Sequence, residues 1–136
     1  MALADIDHFK PANDRYGHEV GDAVLRLVAR TLRADSRATD VVGRWGGEEF
    51  MLVLPATGLD EAVGVLDRLR ARVREQTAAS CREPVTMSFG VCEAAPGESA
   101  TDVIRRTDDA LYAAKAAGRN LVRPWRAGRP RSASAA

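Results

Sequence analysis

Val41-Val42-Gly43-Arg44-Trp45-Gly46-Gly47-Glu48-Glu49-Phe50-Met51-Leu52-Val53-Leu54 decides the fold. Two apolar runs, Val41 to Trp45 and Glu48 to Leu54, flank a Gly46-Gly47 pair. Glycine takes positive φ at little cost, so a two-residue Gly-Gly link between such runs predicts an antiparallel hairpin. Pro55 ends the second strand. Working outward, Val85 to Glu93 alternates large apolar with smaller residues and reads as a half-buried strand. Ala2 to Ile6 is a short strand ending in acids, and Leu121-Val122 is a brief final one.

Helical periodicity fills the intervals. Leu25, Val28, Ala29 and Leu32 fall at i, i+3, i+4 and i+7 within Asp22 to Arg33. Asp60 to Gln76 places Ala62, Leu66, Leu69 and Val73 on one face. Ser99 and Asp102 suit the start of a third helix that runs to about Ala117 and stops at Gly118. Asp7 to Gly21 is broken by Pro11, Asn13-Asp14 and two glycines, which predicts a loop with at most one helical turn. The order β, α, ββ, α, β, α, β contains an antiparallel hairpin. It points to an α+β sandwich rather than a doubly wound parallel sheet.

Composition narrows the function. A chain of 136 residues with 46% hydrophobic content has room for one domain with a real core. No apolar run approaches the roughly 20 residues of a membrane span, and the N-terminus has no signal-peptide pattern. Cys81 and Cys92 lack metal-ligand spacing and read as reduced thiols of a cytoplasmic protein. The net charge is +1, but Arg123 to Ala136 holds four arginines and no acid, so the remaining body is slightly acidic. Such a body, with 5% aromatics, is a poor nucleic-acid surface. A polyphosphate would have to be held by a few placed cations. The chain has only two lysines, Lys10 and Lys115, and a lysine in so arginine-rich a sequence marks a place that wants a compact point charge.

The acids are grouped. Asp5 and Asp7 sit where the first strand ends, and Glu48 and Glu49 sit at the hairpin. A hairpin beside that strand end would bring Asp5 near Glu48, an oxygen-rich arrangement that hard divalent cations such as Mg²⁺ favour. The bland alternative is a solvated hairpin tip. Asn13 and Asp22 flank a Gly-His-x-x-Gly turn. They serve either as an Asx turn and a first-turn helix acid, or as readers of guanine, whose N1–H and N2–H₂ donors suit a carboxylate. His18 reads as a hydrogen-bonding staple of this loop. Lys115 and Arg119, four apart at a helix end, either complement the dipole or clamp phosphates.

Together these residues resemble the GGDEF family, the diguanylate cyclase domains of bacteria. The matching stretches are Asp5-Ile6-Asp7-His8-Phe9-Lys10, Asn13-Asp14 with Gly17-His18 and Gly21-Asp22, Gly46-Gly47-Glu48-Glu49-Phe50, Ser88-Phe89-Gly90-Val91, and Ala114-Lys115 with Gly118-Arg119-Asn120. They run in family order across residues 2 to 122. The resemblance implies a palm-like sheet, of the nucleotide-cyclase and ferredoxin-like kind, packed by helices. It implies two GTP-loaded domains that face each other and make cyclic di-GMP and pyrophosphate. By position, Asp5, the Ile6 carbonyl and Glu48 would hold Mg²⁺, or Mn²⁺ in its place. Glu48, supported by Glu49, would help deprotonate the attacking 3′-hydroxyl. Asn13 and Asp22 would read guanine, and Lys10, Lys115, Arg119 and the backbone N–H groups of His8 and Phe9 would hold phosphates. Arg37 and Asp40, in an RxxD spacing, with Arg68 on the next helix, would form an inhibitory product site.

The family pattern normally begins earlier, with a further helix. The expectation is therefore a GGDEF domain over residues 1–123 lacking that helix, followed by a basic tail, residues 124–136, without fixed structure. Apolar sheet surface left uncovered would favour a homodimer or swapped oligomer. The competing function is a catalytically silent module that binds cyclic di-GMP or GTP as a receptor. An adenine-specific cyclase is disfavoured by Asp22, which adenine N1 would have to face.

Overall fold

The computed structural model describes residues 1–128, among which five strands form one mixed sheet packed by four helices. The strands are β1 (Ala2–Ile6), β2 (Val41–Gly46), β3 (Glu49–Val53), β4 (Met87–Val91) and β5 (Val122–Pro124), ordered β2-β3-β1-β4-β5. The helices are α1 (Phe9–Tyr16), α2 (His18–Ala34), α3 (Leu59–Ser80) and α4 (Ala100–Ala116). β1 is central and antiparallel to both β3 and β4, while β5 runs parallel to β4.

Alternation along β1 sends its side chains to two different layers. Ala2, Ala4 and Ile6 join Phe50, Leu52 and Phe89 in a core with Val28 and Leu32 of α2 and Leu66, Leu69 and Val73 of α3. Leu3 and Asp5 face the other side, where α4 lies across β1, β4 and β5. The helix backbone rests directly on Gly90. A Cβ there would meet Leu111 N at 2.2 Å and Thr107 O at 2.5 Å. On the α4 side of β2 and β3, Val41 is 56% exposed and Met51 and Val53 are half-buried. Among the described residues, apolar sheet surface is thus open there.

Several expectations need correction. The hairpin turn is Gly47-Glu48, because Gly46 still pairs with Glu49, and of the two glycines only Gly47 takes positive φ, at 40°. The cause is a bulge. The register shifts between Arg44 and Gly46, so Trp45 is looped out and half exposed. Asp7 to Gly21 is largely helical rather than loop. Pro11 sits in the first turn of α1, where its missing N–H has no helical partner to lose. Gly17, at φ 89°, makes the break, and α2 starts at His18 instead of Asp22. α3 continues past Gln76 because the buried Thr77 hydroxyl bonds back to Val73 O and receives Val85 N–H at 3.0 Å. Of the basic tail, Pro124 lies in β5 and Trp125 N–H bonds Val91 O at 2.7 Å. The Arg106 guanidinium lies 4.7 Å from the Trp125 ring centre, and Arg126 pairs with Asp60 at 2.6 Å. Fixed structure therefore extends beyond residue 123. Residues 129–136 of that tail lie outside the described residues.

Candidate active site

Three elements converge at one end of β1. Asp5 lies opposite Glu49 of β3 on one side and Ser88 of β4 on the other. Ile6 N–H donates to Glu48 O at 3.2 Å, tying the hairpin tip to the strand end. Lys115, in the last turn of α4, places Nζ 2.5 Å from Asp5 Oδ2. Asp5 is 7% exposed, and burial raises its pKa above the ordinary value. The Lys115 ammonium opposes that rise, and the Glu48 and Asp7 charges add to it. Burial likewise raises Glu49, followed by the charge on Asp5, with Lys115 again opposing. The carboxylates destabilise one another's charged forms, and a cation relieves the conflict.

That donor set fits a small hard cation. Among the described residues no three acidic, histidine or cysteine side chains form a self-sufficient metal centre. Mg²⁺ does not need one, since it is usually held by one or two carboxylates and takes phosphate and water oxygens elsewhere. Asp5 and Glu48, with the Ile6 carbonyl, would hold it.

Asp7 behaves differently from Asp5. It is equally buried, yet both its oxygens are engaged by protein donors. Ser88 Oγ donates to Oδ1 at 2.6 Å, and Thr86 Oγ1 and Asn120 N–H donate to Oδ2 at 2.7 and 3.0 Å. The sequence singled out Asp7 without a role, and the serine two residues before Gly90 was the available signal.

The α1–α2 corner holds the second group. His8 precedes α1 in the left-handed region, at φ 54°, with Phe9 half-buried and Lys10 exposed. Asn13 and His18 share a hydrogen bond at 3.1 Å between Nδ2 and Nδ1, so His18 does staple this corner. Gly21, now inside α2, leaves no room for a side chain, because a Cβ would lie 2.0 Å from Asn13 Oδ1. Phe9, Asn13 and Gly21 line a cavity of about 220 Å³ between the two helices and the 81–86 segment. Asp22 is exposed in the second turn of α2 and is outside that lining. After α4, Gly118, Arg119 and Asn120 all take positive φ, and Arg119 is exposed.

The RxxD segment forms a tight turn after α2. Arg37 N–H donates to the buried Asp40 carboxylate at 2.9 Å, while the Arg37 guanidinium reaches Glu61 of α3 at 2.7 Å. Arg68 is exposed on α3, two turns along from Glu61.

Residues 1–121 match the family model described as diguanylate cyclase, GGDEF domain. The chain belongs to the GGDEF family. A curated relative, the diguanylate cyclase DgcM of Escherichia coli K12, is 45% identical over 122 residues, covering 90% of this chain and 30% of DgcM. Diguanylate cyclase SiaD of Pseudomonas aeruginosa, solved with its activator SiaC, superposes with a TM-score of 0.84 at 43% identity over 90% of this chain and 48% of SiaD. The GGDEF domain of DgcB from Caulobacter crescentus, solved with c-di-GMP, gives a TM-score of 0.83 at 37% identity over 90% of this chain and 75% of that one. This GGDEF domain therefore has the palm-like α+β fold that the sequence implied. It spans about a third of the length of DgcM. None of its described helices is long and apolar enough to cross a membrane.

Proposed function

We propose that this GGDEF domain is a diguanylate cyclase: two GTP molecules condense to cyclic di-GMP and two pyrophosphates. The observation that carries the reading is the convergence of Asp5 with Glu48 and Glu49 at one strand end, with Lys115 on the Asp5 carboxylate. Each 3′-hydroxyl attacks the α-phosphorus of the opposing GTP. Its proton passes toward Glu48, with Glu49 beside it, and pyrophosphate leaves. Bound Mg²⁺, or Mn²⁺, supplies charge neutralisation on the phosphates. Asp5, the Ile6 carbonyl and Glu48 would hold that ion. Lys10, Lys115, Arg119 and the His8 and Phe9 N–H groups hold the phosphates, so catalysis is mostly positioning and electrostatics. Asn13 and Asp22 read guanine.

The chemistry needs two active sites opposed, so the working unit is a homodimer. The open apolar face beside β2 and β3 favours such an assembly or a swapped one. GTP places the reaction in the cytoplasm. Arg37, Asp40 and Arg68 form a product-binding site that restrains turnover, with Glu61 holding Arg37 until the dinucleotide displaces it.

The test is incubation of the chain with GTP and Mg²⁺, with product identified by chromatography and mass detection. The parent is expected to make cyclic di-GMP and Glu48→Gln to make none. A folded parent that makes no product, yet binds cyclic di-GMP or GTP, would favour the silent receptor instead.

A further inference from the structure

Asp7 is a buried acid that the reaction does not use, yet it is the most fully engaged carboxylate near the site. Its period-two spacing from Asp5 invites the reading of a second metal ligand. The geometry argues against it, because three donors from Ser88, Thr86 and Asn120 already occupy its oxygens. The Ser88 hydroxyl spends its proton on Asp7 Oδ1, which frees its lone pair to accept Asn120 N–H at 3.2 Å. Asn120 N–H is therefore shared between the carboxylate and the hydroxyl.

The segment that Asp7 grips is strained. Gly118 tolerates φ 117°, but Arg119 at 63° and Asn120 at 50° are non-glycine residues in the left-handed region. Such conformations persist only where the surroundings over-determine them. Here Arg119 N–H bonds Ala114 O at 3.1 Å, and Arg70 of α3 holds the Asn120 side chain at 2.8 Å. Asp7 supplies the buried anchor on the Asn120 backbone. The residue carried by this strained turn is Arg119, an exposed guanidinium with no ion pair among the described residues.

We propose that Asp7 is a positioning residue. Its carboxylate fixes the left-handed Arg119-Asn120 pair through Asn120 N–H, and thereby holds Arg119 ready for the triphosphate end of the nucleotide. This deepens the cyclase reading and rests on Arg119 being a phosphate-holding cation. Asp7 makes the arginine's placement part of the folded structure, so the nucleotide does not have to order the turn when it binds.

A double-mutant cycle on the full chain tests it, with GTP and GMP affinities read by calorimetry in Mg²⁺ and folding checked by circular dichroism. Arg119→Ala is expected to weaken GTP about tenfold while changing GMP much less. Asp7→Asn should weaken GTP in the same selective way. In the Arg119→Ala background it should add less than about twofold, with the Mg²⁺ half-saturation unchanged. A further tenfold loss in that background, or a shifted Mg²⁺ requirement, would overturn the proposal and give Asp7 its own contact with nucleotide or metal. If Arg119→Ala leaves GTP affinity intact, the phosphate reading of Arg119 fails first, a distinct result that also withdraws the proposal. Should Asp7→Asn fail to fold, Ser88→Ala removes two bonds of the same network, the one to Asp7 and the one from Asn120 N–H. It is expected to show the same dependence on Arg119, and additive losses would overturn the idea.

Discussion

Asp5 carries two opposed demands. Burial favours its proton, while the proposed metal needs its charge. Because its folded pKa lies above 3.8, the folded chain binds more protons than the unfolded chain in the window above that value. Stability of the metal-free domain should therefore fall as pH rises through that window, and Glu49, raised from 4.5, adds in the same direction. Protons and Mg²⁺ compete for these carboxylates, so Mg²⁺ should bind more weakly as pH drops through the same range. Thermal melts against pH, with and without Mg²⁺, check both slopes. Asp5→Asn is expected to melt at or above the parent without metal and to lose the rise that Mg²⁺ gives. A second residue, Gly21, bears on base choice. In Gly21→Ala the new Cβ would displace the Asn13 amide, a side chain that can rotate away. The fold should survive, and GTP should lose about tenfold in binding while ATP is unchanged. Unchanged discrimination would remove Asn13 from base reading. These residues were legible as types in family order. Their geometry was not, since the Asn13–Gly21 contact exists only because α1 and α2 pack closely, and the chain between them reads as loop.

Elements with long apolar stripes were the readable ones. Leu66, Leu69 and Val73 mark α3, and Ser99 does cap α4 by accepting Asp102 N–H at 3.2 Å. α1 has no buried residue at all, so no stripe announces it. The hairpin turn was off by one residue because a bulge at Trp45 depends on strand pairing, which local propensity does not encode. Gly90 shows what a single position does for an element. Its missing Cβ lets the α4 backbone lie on β4, and that helix delivers Lys115 to Asp5. Gly90→Ala meets backbone atoms rather than a yielding side chain, so α4 must move outward. The expected cost is about 3 kcal/mol in a urea melt. Activity should fall further than stability, because Lys115 leaves Asp5 as the helix shifts.

For the molecule as a whole, the arrangement of strands sets a kinetic problem. β1 sits at the middle of the sheet, and its pairings with β3 and β4 are remote in sequence. The Met1 amine reaches across 91 residues to bond the Cys92 carbonyl. Non-local pairing costs loop entropy before it is rewarded, so refolding is expected in the range of about 10 milliseconds to 1 second rather than microseconds. Stopped-flow fluorescence of Trp45 and Trp125 would time it. A microsecond phase that recovered the full signal would mean that the hairpin and helices assemble without their central strand. In a ribosome's exit path the order is inverted relative to need. The strand on which the sheet is built emerges before either neighbour exists, and β4 follows only after α3 has been made. Until β3 is made the nascent chain carries Leu3 and Ile6 with no strand beside them, a sticky segment that a holding chaperone would have reason to cover.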